Sequence, residues 1–237
     1  MRNDLLVIVP AFNESSTISS VVGDVVALGL NVLVIDDGSS DSTPDLAARA
    51  GAIVLQLPFN LGVGGALRAG FSYAVDHGYS SVVQVDADGQ HPVHQIMNLV
   101  QAAEQHQAHL VIGSRYVSKD STLAPTWLRR LAMKSLGLIA SVSAGRRLTD
   151  TTSGFRIIRQ PLLAEFTREF PSYYLGDTFE ATVAAARAGY RVIEVPAALS
   201  PRTHGQSSAS TIRAILLIAK VILITGARLR KRIRYVP

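Results

Sequence analysis

Two carboxylates separated by one small residue, Asp86-Ala87-Asp88, follow an apolar run (Val82, Val83, Val85) and precede a turn made by Gly89, Gln90 and Pro92. Alternate residues of a strand point to one side, so the spacing lets both carboxylates converge on one point. Hard oxygen ligands at a strand end suit Mg²⁺ or Mn²⁺, which keep their remaining positions for water and substrate phosphates. Taken alone, the same stretch is also a polar turn after a strand, since Asp and Gly are common turn residues. Asp36 and Asp37 close the apolar run 31–36, and Asn13 follows the run 5–10 that ends in Pro10.

The elements that must position these residues are short apolar runs alternating with helical patterns. Strands are expected at 5–10, 31–36, 52–57, 81–86 and 109–113, then at FRII (155–158) and at 190–196. Between them, Ile18, Val21, Val22, Val25 and Val26 recur at helical spacing, with Ser15 or Ser16 as the expected cap. Ser42 or Thr43 with Pro44 opens a second helix, and a glycine-rich stretch, 60–71, opens a third running to about His77, packed closely through Gly70. Further helices are expected near 93–107, 123–143 and 177–189. Strands and helices alternating at this spacing imply βαβ units and a mostly parallel sheet flanked by helices. Ligands of such sheets bind outside the carboxyl ends of the strands, and Asn13, Asp36, Asp37, Asp86 and Asp88 all fall there. The glycines at 62, 64 and 65 follow the third strand, so they are not a dinucleotide fingerprint, which belongs to the first βα turn. Gly65-Ala66 also lacks the Lys and Ser/Thr of a P-loop.

The chain of 237 residues is long enough for one full domain with an appendage. It contains no Cys, which excludes a disulfide framework, a thiolate zinc site and a cysteine nucleophile. The start of the chain lacks the basic and long apolar regions of a signal peptide, so a cytoplasmic protein is expected. The net charge of +5 is unevenly spread: residues 1–110 carry 11 acids and 3 bases, residues 111–237 carry 7 acids and 20 bases. A basic half meets something anionic: phosphate groups, a membrane surface or nucleic acid. No recognisable nucleic-acid module is present, and aromatics do not alternate with the bases.

Seven segments occur in one order: IVPAFNES, VIDDGSSDST, NLGVGGALRAGF, VDADGQHP, GSRY, DTTSGFR and Arg202-x-x-Gly205-x-Ser207-Ser208. Together they resemble family 2 glycosyltransferases of the GT-A fold, a Rossmann-like α/β architecture, and most closely the dolichyl- or polyprenyl-phosphate sugar synthase branch. The resemblance implies that Pro10, Ala11, Asn13, Glu14, Asp36, Asp37 and Asn60 line the nucleotide pocket with Asp86. It implies Asp86, Asp88 and Gln90 as ligands of Mg²⁺ or Mn²⁺ on the donor diphosphate, with Asp88 foremost. Arg202 would meet the donor phosphates, and Arg115, Arg129 and Gly154 would adjoin the acceptor phosphate. Ser207 and Ser208 stand where some relatives carry Ser-Lys. Asp177 is either a helix cap, or a base or sugar-hydroxyl contact, since family 2 enzymes with hydroxyl acceptors place an acid near here. The implied reaction is inverting transfer from a nucleotide-sugar, a UDP-sugar favoured slightly over GDP-mannose, to polyprenyl phosphate at the cytoplasmic membrane face. Two alternatives stand beside it: transfer to a saccharide or small-molecule hydroxyl, and a non-catalytic membrane or nucleic-acid binding domain on this fold.

Two segments point to a membrane surface. Residues 123–143 combine Leu128, Leu131, Ala132, Leu136, Ile139 and Ala140 at helical spacing with Trp127, Arg129, Arg130 and Lys134. That is the makeup of an interfacial helix and equally of an amphipathic helix on a protein core. Residues 211–226 are apolar apart from Arg213 and Lys220, and RLRKRIR (228–234) is polybasic. The apolar runs are shorter than the ~20 residues a spanning helix needs. The expected division is a transferase domain over 1–210 and a membrane- or partner-binding tail over 211–237, with a small membrane anchor protein and a second copy of the chain as further expected partners.

Overall fold

The structure is a computed structural model that describes residues 4–115, 127–170 and 177–199. Its strands are β1 (Leu5–Ala11), β2 (Asn31–Asp36), β3 (Ile53–Gln56), β4 (Ser81–Gln84), β5 (Leu110–Ser114), β6 (Arg156–Arg159) and β7 (Val192–Pro196). The helices are α1 (Ile18–Ala27), α2 (Thr43–Arg49), α3 (Val63–Asp76), α4 (Ile96–Gln105), α5 (Trp127–Ala144), α6 (Leu162–Glu169) and α7 (Asp177–Arg187).

The strands form one sheet in the order β3-β2-β1-β4-β6-β5-β7. All run parallel except β6, which lies antiparallel between β4 and β5. Both faces are covered, so the strands read as continuous apolar runs. Leu5, Val7 and Val9 pack with Ile18, Val22 and Val25 of α1 and Ile96 and Leu99 of α4 on one face. Leu6 and Ile8 pack with Leu67 and Phe71 of α3, Phe166 of α6 and Phe179 of α7 on the other. This is the period-two alternation of a strand buried on both sides. A Cβ on Gly70 would stand 2.9 Å from Ile35 Cδ1, so α3 does pack on the sheet through that glycine.

Several expected boundaries shift. Thr17, not Ser15 or Ser16, takes the N-cap position of α1. A 3₁₀ turn, Val93–Gln95, precedes α4. The last strand starts at Val192, and Tyr190 instead packs edge-on against His109. Helix α6 was not anticipated. In α5, Leu136 and Ala140 are buried against the domain while Leu138 and Val142 remain largely exposed. Among the described residues no helix is long and apolar enough to cross a membrane. The segment 200–237, and with it the tail, lies outside the described residues.

Candidate active site

The loops after β1, β2 and β3 are bonded to one another. Asn13 adopts a left-handed φ of 56°. Its amide oxygen accepts the Ser40 N–H at 2.9 Å, and its own N–H donates to Ser39 Oγ at 2.9 Å. The Glu14 N–H donates to Thr43 Oγ1. Asp41 accepts from Ser15 and Thr43; burial opposes its ionisation, but these bonds outweigh it and hold the carboxyl below its ordinary value. Asp37 accepts the Leu61 N–H at 2.7 Å, which ties the end of β2 to the start of α3. Burial pushes the Asp37 carboxyl up, against the pull of the Leu61 and Gly62 amides and with the help of neighbouring Asp36. At Gly38 (φ +77°) an added Cβ would stand 3.1 Å from the backbone of Phe59 and of Asn60, so both the conformation and the space demand glycine. The Asn60 side chain accepts the Gly62 N–H. Asp36 is buried, and among the described residues its Oδ1 has no hydrogen-bond partner. Two aromatic side chains that the sequence reading passed over, Phe12 and Phe59, are 47% and 62% exposed at this edge.

The Asp-Ala-Asp stretch departs from its expected geometry. Strand β4 ends at Gln84, so Asp86 and Asp88 are not alternate residues of a strand. The reason is local: the Asp86 N–H donates to His91 Nδ1 at 2.8 Å and turns the chain away from the sheet. The two carboxylates accordingly differ. The Asp86 side chain is 41% exposed, with Gln84 Nε2 3.4 Å from Oδ1 and His91 Nε2 3.5 Å from Oδ2. Asp88 is buried and accepts both the backbone and the side-chain N–H groups of Gln90. Gly154 closes in from the loop before β6. A Cβ there would stand 2.7 and 2.9 Å from the Asp86 carboxylate oxygens. The group that approaches this glycine is thus Asp86. Among the described residues no three His, Cys, Asp or Glu side chains group into a metal cage. One half-exposed carboxylate beside a buried, amide-held one is an all-oxygen, open set. It fits an ion that takes one or two carboxylates and completes its shell with water and phosphate.

The β5–β6–β7 side is organised around a buried acid. Asp150 is fully buried and pairs with Arg115, Nε to Oδ2 at 2.9 Å and Nη2 to Oδ1 at 3.2 Å, while the Arg115 N–H also reaches Oδ2. Glu194 of β7 accepts the N–H groups of Thr149 and Asp150, each at 2.7 Å, and the Thr149 hydroxyl. Burial pushes its carboxyl above the ordinary value despite those bonds, with Asp150 adding to the rise. Buried Arg156 donates to the Ser153 carbonyl and to Thr178 O in the first turn of α7. The loop 149–155 therefore hangs from β7, β5 and α7 together. Because β6 runs antiparallel, its preceding loop arrives at the same sheet edge as the carboxyl ends of the parallel strands.

The structure thus gathers Pro10, Ala11, Asn13, Glu14, Asp36, Asp37, Asn60, Asp86, Asp88, Gln90, Arg115 and Gly154 at strand ends along one edge. Arg129 falls on α5 and Asp177 opens α7, but their side chains lie outside what the structure describes, as does Arg202 altogether. No role was expected for Asp150, Glu194, Arg156 or His91, although Asp150 and Arg156 bound the DTTSGFR segment and His91 lies in VDADGQHP; Glu194 carried no such signal.

Known proteins agree with this architecture. Residues 6–167 match the model of glycosyl transferase family 2. The undecaprenyl-phosphate mannosyltransferase of Micrococcus luteus is 34% identical over 87% of this chain and 87% of its own. The polyprenol monophosphomannose synthase of Mycolicibacterium smegmatis is 32% identical over 88% of this chain and 82% of its own. Among solved structures, glucosyl-3-phosphoglycerate synthase of Mycobacterium tuberculosis with Mg²⁺ and UDP superposes with a TM-score of 0.69, at 21% identity over 94% of this chain and 79% of that one, a likeness of fold. By the span of the family match and the identity to these relatives, the chain belongs to glycosyl transferase family 2.

Proposed function

We propose that the chain is an inverting, divalent-metal-dependent transferase that moves one sugar from a nucleotide-sugar to the phosphate of a polyprenyl phosphate at the cytoplasmic face of a membrane. One observation carries this reading: open acidic positions at the ends of β2 and β4 share an edge with the Arg115–Asp150 pair at the end of β5. That edge has means for a metal-bound leaving diphosphate and for an anionic nucleophile. The buried, unpartnered Asp36 oxygen suits an N–H or O–H of the nucleoside, and Pro10, Ala11, Asn13, Glu14, Asp37 and Asn60 shape the loops around it. Asp86 and Asp88, with Gln90, would hold Mg²⁺ or Mn²⁺, a Lewis acid that neutralises the leaving diphosphate. Arg202 would clamp the same phosphates.

In this reaction the acceptor phosphate oxygen bonds to the anomeric carbon, and the sugar–diphosphate C–O bond breaks with its electrons passing to the diphosphate. The nucleophile is already an anion, so it needs holding more than deprotonation. Asp150 fixes the Arg115 guanidinium plane, and we assign Arg115 and Arg129 to the acceptor phosphate. Asp177 then serves as a sugar-hydroxyl contact; a base there belongs to the hydroxyl-acceptor alternative. The relatives named for mannose transfer are 34% and 32% identical, against 25% for a UDP-N-acetylglucosamine–dolichyl-phosphate transferase of Methanococcus voltae, which weighs the donor toward mannose and away from the UDP-sugar first favoured. The tail 211–237 would bind the bilayer, each base near an anionic surface contributing about 1 kcal/mol, or dock on a small membrane anchor protein.

The test is incubation of the purified full chain with polyprenyl phosphate, Mg²⁺ or Mn²⁺, GDP-mannose and a panel of UDP-sugars, with lipid products identified by mass. A polyprenyl-phosphate hexose or N-acetylhexosamine is expected. No lipid-linked sugar from any donor, with transfer to a hydroxyl acceptor instead, overturns the reading.

A further inference from the structure

We infer that His91 is a positioning residue: it sets the direction of the Asp86 carboxylate and, through it, the affinity of this edge for a divalent ion. The inference rests on the proposed role of Asp86 in holding that ion. His91 touches Asp86 twice. Its Nδ1 accepts the Asp86 backbone N–H at 2.8 Å, which places the proton of the neutral ring on Nε2. That Nε2 then stands 3.5 Å from Asp86 Oδ2. One ring therefore fixes both the main chain and the carboxylate of the residue five positions before it. The ring is itself held, buried and tilted against Phe155 with centroids 5.4 Å apart. Opposite it, Gly154 lies so close that a Cβ there would stand 2.7 and 2.9 Å from the carboxylate oxygens, and Gln84 Nε2 stands 3.4 Å from Oδ1. Asp86 is walled on three sides, and its exposure lies in the direction that remains. Groups that orient a metal-binding side chain from behind typically change metal affinity by about 10- to 100-fold when removed.

The two ring nitrogens can be replaced separately. His91→Asn keeps an acceptor near the Nδ1 position and loses the Nε2 donor; His91→Gln keeps a donor near Nε2 and loses the Nδ1 acceptor. Mn²⁺ binding to the full chain would be followed by electron paramagnetic resonance of the free ion, alone and with UDP or GDP present. His91→Ala and His91→Asn are expected to weaken Mn²⁺ binding about 10-fold, while His91→Gln recovers most of the affinity. His91→Asn should also keep a near-native thermal melt, so its lost affinity is not lost folding. Wild-type affinity in His91→Asn, or His91→Gln as weak as His91→Ala, overturns the inference and leaves His91 a turn residue. Asp86→Ala separates the two levels: if it leaves Mn²⁺ binding unchanged, the metal reading fails and takes the inference with it. If it abolishes binding while His91→Asn does not weaken it, only the inference fails.

Discussion

The two halves of the sheet edge handle charge in opposite ways. On the β1–β4 side two acids keep acceptor capacity: among the described residues Asp36 Oδ1 is buried without a partner, and Asp86 is half exposed. On the β5–β7 side the strongest charges are consumed internally, Arg115 by a fully buried Asp150, and Glu194 by three N–H and O–H donors. An edge built to bind a cation and its phosphates keeps negative charge available. An edge that must present a cation at a fixed place can afford to spend part of that charge on stiffness. The sequence asymmetry, acidic before residue 110 and basic after it, is the coarse image of this division.

If the division is right, the two sides should fail differently. Asp88→Asn should lower kcat/KM by about a hundredfold or more with little change in melting temperature, read by steady-state turnover alongside a thermal melt; full metal-dependent turnover would remove Asp88 from the site. Arg115→Ala should cost folding stability, about 3 kcal/mol, since it strands a buried carboxylate. Asp150→Ala should cost less, because the Arg115 side chain it leaves behind is 25% exposed. Denaturant unfolding of both variants gives the order, and the reverse order would contradict the picture of a stiffened β5–β7 side. Gly154→Ala joins the halves: its Cβ would press on the Asp86 oxygens, and Mn²⁺ binding should fall about tenfold, on the scale of an orienting contact, measured by calorimetry. An unchanged affinity would mean that the carboxylate has room to move. The smallest effect concerns pH. The folded-state value of Glu194 lies above its unfolded one, so the folded chain binds more protons between the two. Its contribution to stability should be full below the ordinary glutamate range and lost as pH rises through the raised value. Glu194→Gln should flatten that slope, visible in melts taken across the acidic range.

The strand ends were legible because each is a break in a pattern: Pro10, Asp36 and the Asp-Ala-Asp stretch interrupt continuous apolar runs, and parallel topology sends such breaks to one edge. The direction of β6 was not legible, since its sequence, Arg-Ile-Ile-Arg, reads the same both ways. Helix α6 escaped because it is eight residues long and directly follows Pro161. The Asp150–Arg115 and Glu194–Thr149 contacts join residues 35 and 45 positions apart, and no local pattern marks such partners. The geometry of Asp86 and Asp88 differs from strand alternation for a physical reason: β4 ends at Gln84 and the Asp86 N–H bonds to a histidine in the following turn.

The insertion of β6 bears on the order in which the molecule assembles. Strands β1, β2 and β3 pair with their chain neighbours through successive βαβ units, whereas β4 already reaches back past β2 and β3 to β1. Strand β6 pairs Ile158 with Val82, reaching back across α4, β5 and α5, and with Leu110, reaching back across α5. Long-range pairings of this kind must meet a loop-closure entropy before they are rewarded. Asp86 thus acquires its wall at Gly154 only when β6 slots between its neighbours, and competence to bind metal becomes a late event, a report that the sheet is complete. Pulse-labelled hydrogen exchange should find the β6 amides protected after those of β1 and β2, with Mn²⁺ binding appearing alongside them; protection of β6 together with β1 and β2 would show that its insertion is not the closing step.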